Sequence, residues 1–312
     1  MSLKTRAGYD VTEAMWIKEA TFGTVPTTGA WKHLGHITMF DPVRRPTYKE
    51  RIGLGRQYPS NLELMKEDAE LSVEFGALLK SVASGAEYEW MDLYALMWGE
   101  DDAAATVDLE KHEASMSVGA KLDLATDEYM LVKGAKFQEA RIIAEHGPEP
   151  IRQILSFLGQ KHTHGTVDYV SGTATRKNFP STLLMKFADT DLLYNGASII
   201  ERLQSFEFTM RRKLDKRGGY PAEKTLYSKL SEMELSMDVS ITLDFDSTPE
   251  LNDFMGDVNR DILIKIPSGT GGRQLNLFSC KWREMRKPQR ELDLIELRLT
   301  ASVLGTPTIT TL

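Results

Sequence analysis

Three landmarks occur twice in this chain, in the same order, and a chain built from two copies of one unit is constrained to fold as that unit twice. The first is an alternating segment, Glu70-Leu71-Ser72-Val73-Glu74-Phe75 against Glu234-Leu235-Ser236-Met237-Asp238-Val239. Polar and apolar residues take turns, the period of a half-buried strand. The second copy continues through Ile241, Leu243 and Phe245, with Ser240, Thr242 and Asp244 on the other face. The second landmark is a short helix: Leu93, Leu96 and Met97 before Gly99, and Leu251, Phe254 and Met255 before Gly256. Each set forms one helical stripe. Thr248 suits the N-cap, Pro249 the first helical position and Gly256 a left-handed stop. The third is the most specific. Lys136-Phe137-Gln138-Glu139-Ala140-Arg141 matches Lys281-Trp282-Arg283-Glu284-Met285-Arg286, and from each Lys a run of 23 or 24 residues leads to a closing glycine, Gly159 or Gly305.

The copies span about 31–160 and 200–305. Residues 1–30 are expected as an N-terminal arm, 161–199 as a connecting segment and 306–312 as a C-terminal tail. Further strand candidates are Lys121–Leu124, Tyr129–Val132, Leu183–Phe187, Ile262–Ile266, Leu275–Phe278 and the alternating run from Ile295 to Val303. No series of strand–helix–strand units is present, which argues against a doubly wound sheet. The expected fold class is mainly β: two tandem β-sandwich or small-barrel domains, each with a short flanking α-helix.

Between its first two strands each copy holds a long segment, about 42–68 and 211–232. Connections this long in a compact domain are functional or solvated. The first carries Arg44, Arg45, Lys49, Glu50, Arg51 and Arg56; the second carries Arg211, Arg212, Lys213, Asp215, Lys216 and Arg217. A solvated charged loop accounts for them, and so does an arm that orders on a neighbouring subunit.

Composition narrows the function classes. Of 312 residues, 41% are hydrophobic and 27% charged, the balance of a water-soluble globular protein. No apolar run is long enough to span a bilayer, and no secretory leader is evident at the start, so no membrane is expected and synthesis in a cytoplasm fits. The net charge of −7 is not that of a protein that grips DNA. The lone cysteine, Cys280, excludes an internal disulfide framework, and without a histidine partner in sequence it reads as a buried thiol. Gly269-Thr270-Gly271-Gly272 lacks the Lys-Ser/Thr of a phosphate loop and reads as a hairpin turn. His162 and His164 lack the further ligands of a zinc site. The acidic pairs Asp101-Asp102 and Asp244/Asp246 lack EF-hand spacing. No catalytic, cofactor or metal residue is assigned, and the chain is not expected to be an enzyme.

In its order of segments the chain resembles the tail tube proteins of long-tailed phages and related archaeal viruses. The anchors are Glu19-Ala20-Thr21-Phe22-Gly23-Thr24-Val25-Pro26, the strand Glu70–Phe75, Lys136–Glu139, Leu203-Gln204-Ser205-Phe206-Glu207-Phe208 and the strand from Glu234 to Phe245. The resemblance implies a virion protein, made in the host cytoplasm, whose domains join edge to edge into rings of sixfold or pseudo-sixfold symmetry. The rings stack into a tube through which double-stranded DNA passes without being held. With two domains per chain, three chains complete a ring. Tape measure, tail terminator and baseplate proteins are the implied partners. The long segments become inter-subunit arms, with Arg44, Arg45, Arg51, Arg56, Tyr58, Arg211, Arg212 and Tyr220 as contact candidates. Glu70, Glu74, Glu234, Asp238, Asp244, Asp293 and Glu296 become candidates for an acidic bore, although facing solvent or a subunit partner accounts for them as well. The same pattern fits another tail or baseplate ring component and, less well, a carbohydrate-binding or carbohydrate-active β-sandwich.

Overall fold

The computed structural model describes residues 11–52, 59–77, 115–123, 126–176, 184–217, 229–244, 249–266, 273–286, 296–305 and 307–311. They are almost all strand: β1 (Val11–Glu19), β2 (Ala30–His33), β3 (His36–Ile52), β4 (Pro59–Gly76), β5 (Ser115–Leu122), β6 (Glu128–Glu145), β7 (Arg152–Gly159), β8 (Lys161–Gly165), β9 (Thr175–Arg176), β10 (Asp191–Tyr194), β11 (Ala197–Ser198), β12 (Leu203–Arg217), β13 (Lys229–Asp244), β14 (Arg260–Ile266), β15 (Arg273–Arg286), β16 (Glu296–Val303) and β17 (Thr308–Thr311). One α-helix, α1 (Pro249–Met255), is present among the described residues. The fold is mainly β, as its alternating patterns predict.

The pairing repeats. In the first half, β3 pairs with β4, β4 with β7 and β7 with β6. In the second, β12 pairs with β13, β13 with β16 and β16 with β15. The two quartets are joined where β6 pairs with β12, so one sheet runs β3-β4-β7-β6-β12-β13-β16-β15. A second layer repeats too. β6 begins in a sheet with β5, β1, β2 and β8, as β15 does with β14, β10, β11 and β17. One cluster of buried side chains spans both halves; it includes Trp16, Phe75 and Phe157 from the first and Phe208, Ile264 and Leu299 from the second. This core is not interrupted at 161–199.

Irregularities fall at matching places. The Lys-aromatic-x-Glu landmark is a β-bulge in both halves of the chain. Phe137 faces Phe157 and Glu139 faces Ser156, leaving Gln138 extra; Trp282 faces Ala301 and Glu284 faces Thr300, leaving Arg283 extra. Both long strands bend between layers at a residue of positive φ, Gly134 (64°) and Ser279 (52°). Each bend N–H donates to a carboxylate, Gly134 to Glu19 Oε1 and Ser279 to Asp261 Oδ1, both at 2.9 Å.

Several expectations need correcting. Residues 11–19 are no arm: β1 is largely buried and pairs along its length with β5. Glu19 at its end accepts bonds from Gly23 N, Ser115 Oγ, Ser117 Oγ and Gly134 N at 2.6–2.9 Å, tying the Glu19–Pro26 turn to the bend of β6. The long charged segments are not irregular loops. β3 and β4 stay paired out to Ile52 and Pro59, and β12 and β13 out to Arg217 and Lys229, so each is an extended hairpin. A two-stranded ribbon pairs its inward backbone groups and can leave the outward ones to water, so charge does not oppose it. Residues 184–187 form no strand. Met185 bonds by its backbone to Ala77 and Ile151, and a 3-10 turn follows at Phe187–Asp189.

In α1 the expected stripe is buried in part: Leu251 and Phe254 are half-buried, and Phe254 packs on the core. Met255 is 76% exposed, while Glu250 is buried beneath Arg202 (Nη2 to Oε1, 2.7 Å). The left-handed residue after α1 is Asp257 (φ 54°) rather than Gly256. Thr248, the earlier helix near Leu93–Gly99, Gly269–Gly272 and Asp101-Asp102 lie outside the described residues.

Candidate functional site: a polar sheet face and two free edges

Alternation gives the shared sheet two unlike faces. Leu71, Val73 and Phe75 on β4, Ile142 on β6, Phe206 and Phe208 on β12, and Val239, Ile241 and Leu243 on β13 point into the core. The opposite face is polar in both halves. It carries Glu70, Ser72 and Glu74 on β4, Glu139 and Arg141 on β6, Glu207 on β12, Asp238, Ser240 and Thr242 on β13, and Glu296 and Arg298 on β16.

The acids predicted for a bore therefore share one face wherever they are described, but they are not a bare acidic surface. Glu70 Oε2 pairs with Arg45 Nε at 3.0 Å, and Arg152 lies between Glu74 (3.7 Å) and Glu145 (3.9 Å). Glu207 accepts from Arg141 at 2.6 Å and Glu139 pairs with Arg211 at 3.3 Å. Asp238 accepts from Ser302 Oγ (2.7 Å) and lies 3.5 Å from Arg283. Asp244 accepts from Gln204 Nε2 (2.7 Å), and Glu296 pairs with Arg298 (3.1 Å). Glu234 is exposed on β13, and Asp293 is outside the described residues. Exposed pairs of this kind add little stability, a median of about 0–1 kcal/mol each. Their main effect is to interleave the two signs across the face. Sequence reading found the acids and missed the arginines, because partners on neighbouring strands lie far apart in the chain.

Of the arm candidates, Arg44, Arg45 and Arg211 are exposed on the hairpins. Arg212 is buried, contrary to a contact role, because its position on β12 faces inward. Arg51 lies in β3; Arg56, Tyr58 and Tyr220 lie outside the described residues. The second hairpin leans over the first half of the chain. Lys216 Nζ reaches Asp68 Oδ2 at 2.6 Å, and Leu230 is buried against Leu158.

Two edges of the sheet are paired on one side only among the described residues. One is β3, which pairs with β4 alone; the other is the outer half of β15, Lys281–Arg286, which pairs with β16 alone. Between them every strand has two neighbours. The remaining sequence candidates are structural. Cys280 is buried and its thiol donates to Leu277 O at 3.4 Å; burial pushes its pKa up to about 12, far from a nucleophile's range. His164 pairs with Glu128 at 2.6 Å. Trp16, Trp31 and Trp282 are buried, so they form no exposed sugar platform. No helix among the described residues is long and apolar enough to cross a membrane.

Comparison with known proteins gives no match among curated proteins. Among solved structures, the chain is similar to one from the virion of a native gene transfer agent particle, at 11% identity and a TM-score of 0.32, over 39% of this chain and 96% of that one. The model of the family described as phage tail tube protein matches residues 11–303. That match takes in all but the last of the strands, both halves of the shared sheet and both of its free edges, and the chain belongs to the phage tail tube protein family, a structural component of the virion tail.

Proposed function

We propose that the two halves are two copies of one tube module, and that three chains close into a ring of six modules that stacks into the tail tube. The observation that carries this reading is the sheet in which, among the described residues, the strand at each end is paired on one side only and every strand between them on both. A bare edge is ordinarily an aggregation hazard. Closing the sheet on itself through sister chains removes it. The join between β6 and β12 supports the arithmetic, because it is already one module-to-module seam made within a chain.

Closure with the core outward turns the polar face to the bore. A bore gripping DNA would gain affinity from unpaired arginines releasing phosphate counterions. Here Arg45, Arg141, Arg152, Arg211 and Arg298 each sit against a carboxylate. Such a lining has little attraction for a polyanion and lets it slide. The hairpins serve as arms between subunits and rings, and no bond chemistry is required of any residue. Tape measure, terminator and baseplate proteins are the partners this reading expects.

Electron microscopy of the purified protein tests it. The expected result is long tubes with three chains in each ring. Rings that never stack would favour a terminator or baseplate role, six whole chains per ring would reject the module count, and a monomer that binds sugar would favour a carbohydrate-binding sandwich. Deleting 47–58 is expected to leave soluble protein that forms no tubes.

A further inference from the structure

We infer that the seam between subunits copies the seam inside the chain, in register and in charge: the Glu284–Arg286 edge of β15 pairs antiparallel with Val43–Arg45 on β3 of the next copy. The inference rests on the tube reading above and deepens it by naming the residues that meet.

The internal seam is the template. There β6 and β12 pair with Arg211 opposite Glu139, Met210 opposite Ala140 and Thr209 opposite Arg141. Two ion pairs cross it, Arg211–Glu139 at 3.3 Å and Arg141–Glu207 at 2.6 Å. The repeated pairing supplies the equivalent positions. Phe137 faces Phe157 as Trp282 faces Ala301, so with the shared bulge Glu139 and Arg141 correspond to Glu284 and Arg286. Leu71, opposite Phe157, then corresponds to Val239, opposite Ala301. Their partners Pro42 and Phe208 correspond in turn, which sets Asp41 beside Glu207 and Arg45 beside Arg211. A shared irregularity supports the alignment, since β3 slips register between Ile37 and Met39 where β12 slips between Leu203 and Ser205.

Transferred to the free edges, the template places Arg45 opposite Glu284, Arg44 opposite Met285 and Val43 opposite Arg286. Both charge pairs survive with their signs. Glu139–Arg211 becomes Glu284 with Arg45 of the next copy, and Arg141–Glu207 becomes Arg286 with its Asp41. Nothing local requires this, since β3 and β15 lie at opposite ends of the sheet. Within one chain these charges have nearer partners: Arg45 holds Glu70 at 3.0 Å, and Arg286 holds Glu284 on its own strand. Assembly exchanges these for partners across the seam. Val43, Arg44 and Arg45 all carry a backbone N–H, whereas Pro42 and Pro46 on either side have none, so the ladder is confined to these three residues. A shift of one or two residues either way sets Arg44 or Arg45 opposite Arg283 or Arg286, and like charges oppose those registers.

Charge reversal tests the seam. R45E and E284R should each abolish tubes and leave the chain as single subunits by size exclusion. The pair R45E/E284R in one chain should restore tubes. If Arg45 acts only through Glu70 within its own chain, R45E/E70R restores them and R45E/E284R does not, and the inference falls. It falls equally if R45E leaves tubes intact while the wild type forms them, which spares the tube reading. A wild type that forms no rings overturns both. The register is read separately with R44C/M285C. Opposed residues of an antiparallel pair lie within disulfide reach. Oxidised assemblies should give chain-to-chain cross-links on a non-reducing gel, absent from either single variant; no cross-link in intact tubes rejects the register.

Discussion

Gly134 and Ser279 occupy matching bends, yet the two sites differ in how much room they leave. A Cβ on Gly134 would come within 2.8 Å of Gln160 Cβ and about as near the Phe22 ring as van der Waals contact forbids, besides adopting a φ of 64°. Ser279 meets the same backbone demand at an exposed position. Gly134→Ala is therefore expected to cost about 1–3 kcal/mol, while Ser279→Gly changes stability by less than about 0.5 kcal/mol, strain relief offsetting the looser unfolded chain. Urea midpoints of the two variants check the contrast. Glu19 is the costlier deletion. Glu19→Ala leaves two buried hydroxyls and two backbone N–H groups without their acceptor, and a loss of at least about 3 kcal/mol follows. The segment Glu19–Pro26 was legible as an anchor of resemblance, but its physical work was not. Three of the four donors lie about a hundred residues away in sequence.

Strands were the legible elements, because a period of two is written locally. Their register was not. The sequence match sets Leu71 against Leu235, whereas the pairing sets it against Val239, four residues on. An even slip preserves the alternation, so the pattern alone cannot choose between the two. The hairpins were read as loops for a related reason: their strands continue beyond the core, where hydrophobic alternation no longer marks them. In α1 the apolar spacing located the helix and, in Phe254, part of its inward side, but not Glu250 and Asp253, which dock it through ions. Asp253 accepts from Arg260 Nη2 (2.9 Å) and Tyr194 Oη (2.8 Å), and Tyr194 accepts from Trp282 Nε1 (3.0 Å). The Arg260 guanidinium, and then the Tyr194 hydroxyl, hold the Asp253 carboxyl below its ordinary range. A lowered carboxylate stabilises the fold above its unfolded-state pKa and loses that contribution as pH falls through its folded value. Asp253→Asn should thus be less stable than the wild type at neutral pH, and the gap should shrink as pH drops below about 4, the ordinary carboxylate range. Denaturant melts of both proteins across pH measure it.

For the whole molecule, a shared sheet and a core cluster that spans both halves mean that the halves depend on each other. Cutting the chain between 177 and 183 would bare the β6 and β12 edges and uncover core side chains such as Ile142 and Phe208. Each half alone is expected to aggregate, and the two co-expressed to form a stable pair by size exclusion. Arg211→Glu should weaken that pair, because it sets two acids opposite each other at the seam. Of the three matches that suggested a repeat, the Lys-aromatic-x-Glu segments take matching places in the pairing, the alternating strands match four residues out of step, and the first helix lies outside the described residues. The candidate site was half legible: the acids on the polar face were found, and the edges paired on one side only among the described residues were not, because an edge is set by which strands meet and not by the pattern within one.

The β6–β12 join has a kinetic meaning. Two partners on one polypeptide meet at an effective concentration far above that of separate chains. In the proposed ring of three, every second seam would be complete when the chain has folded, and nucleation would need three bodies to meet rather than six. Seams within a chain need not open and close during the proposed assembly, so only the β3 and β15 borders would have to stay weak enough to correct a misplaced neighbour.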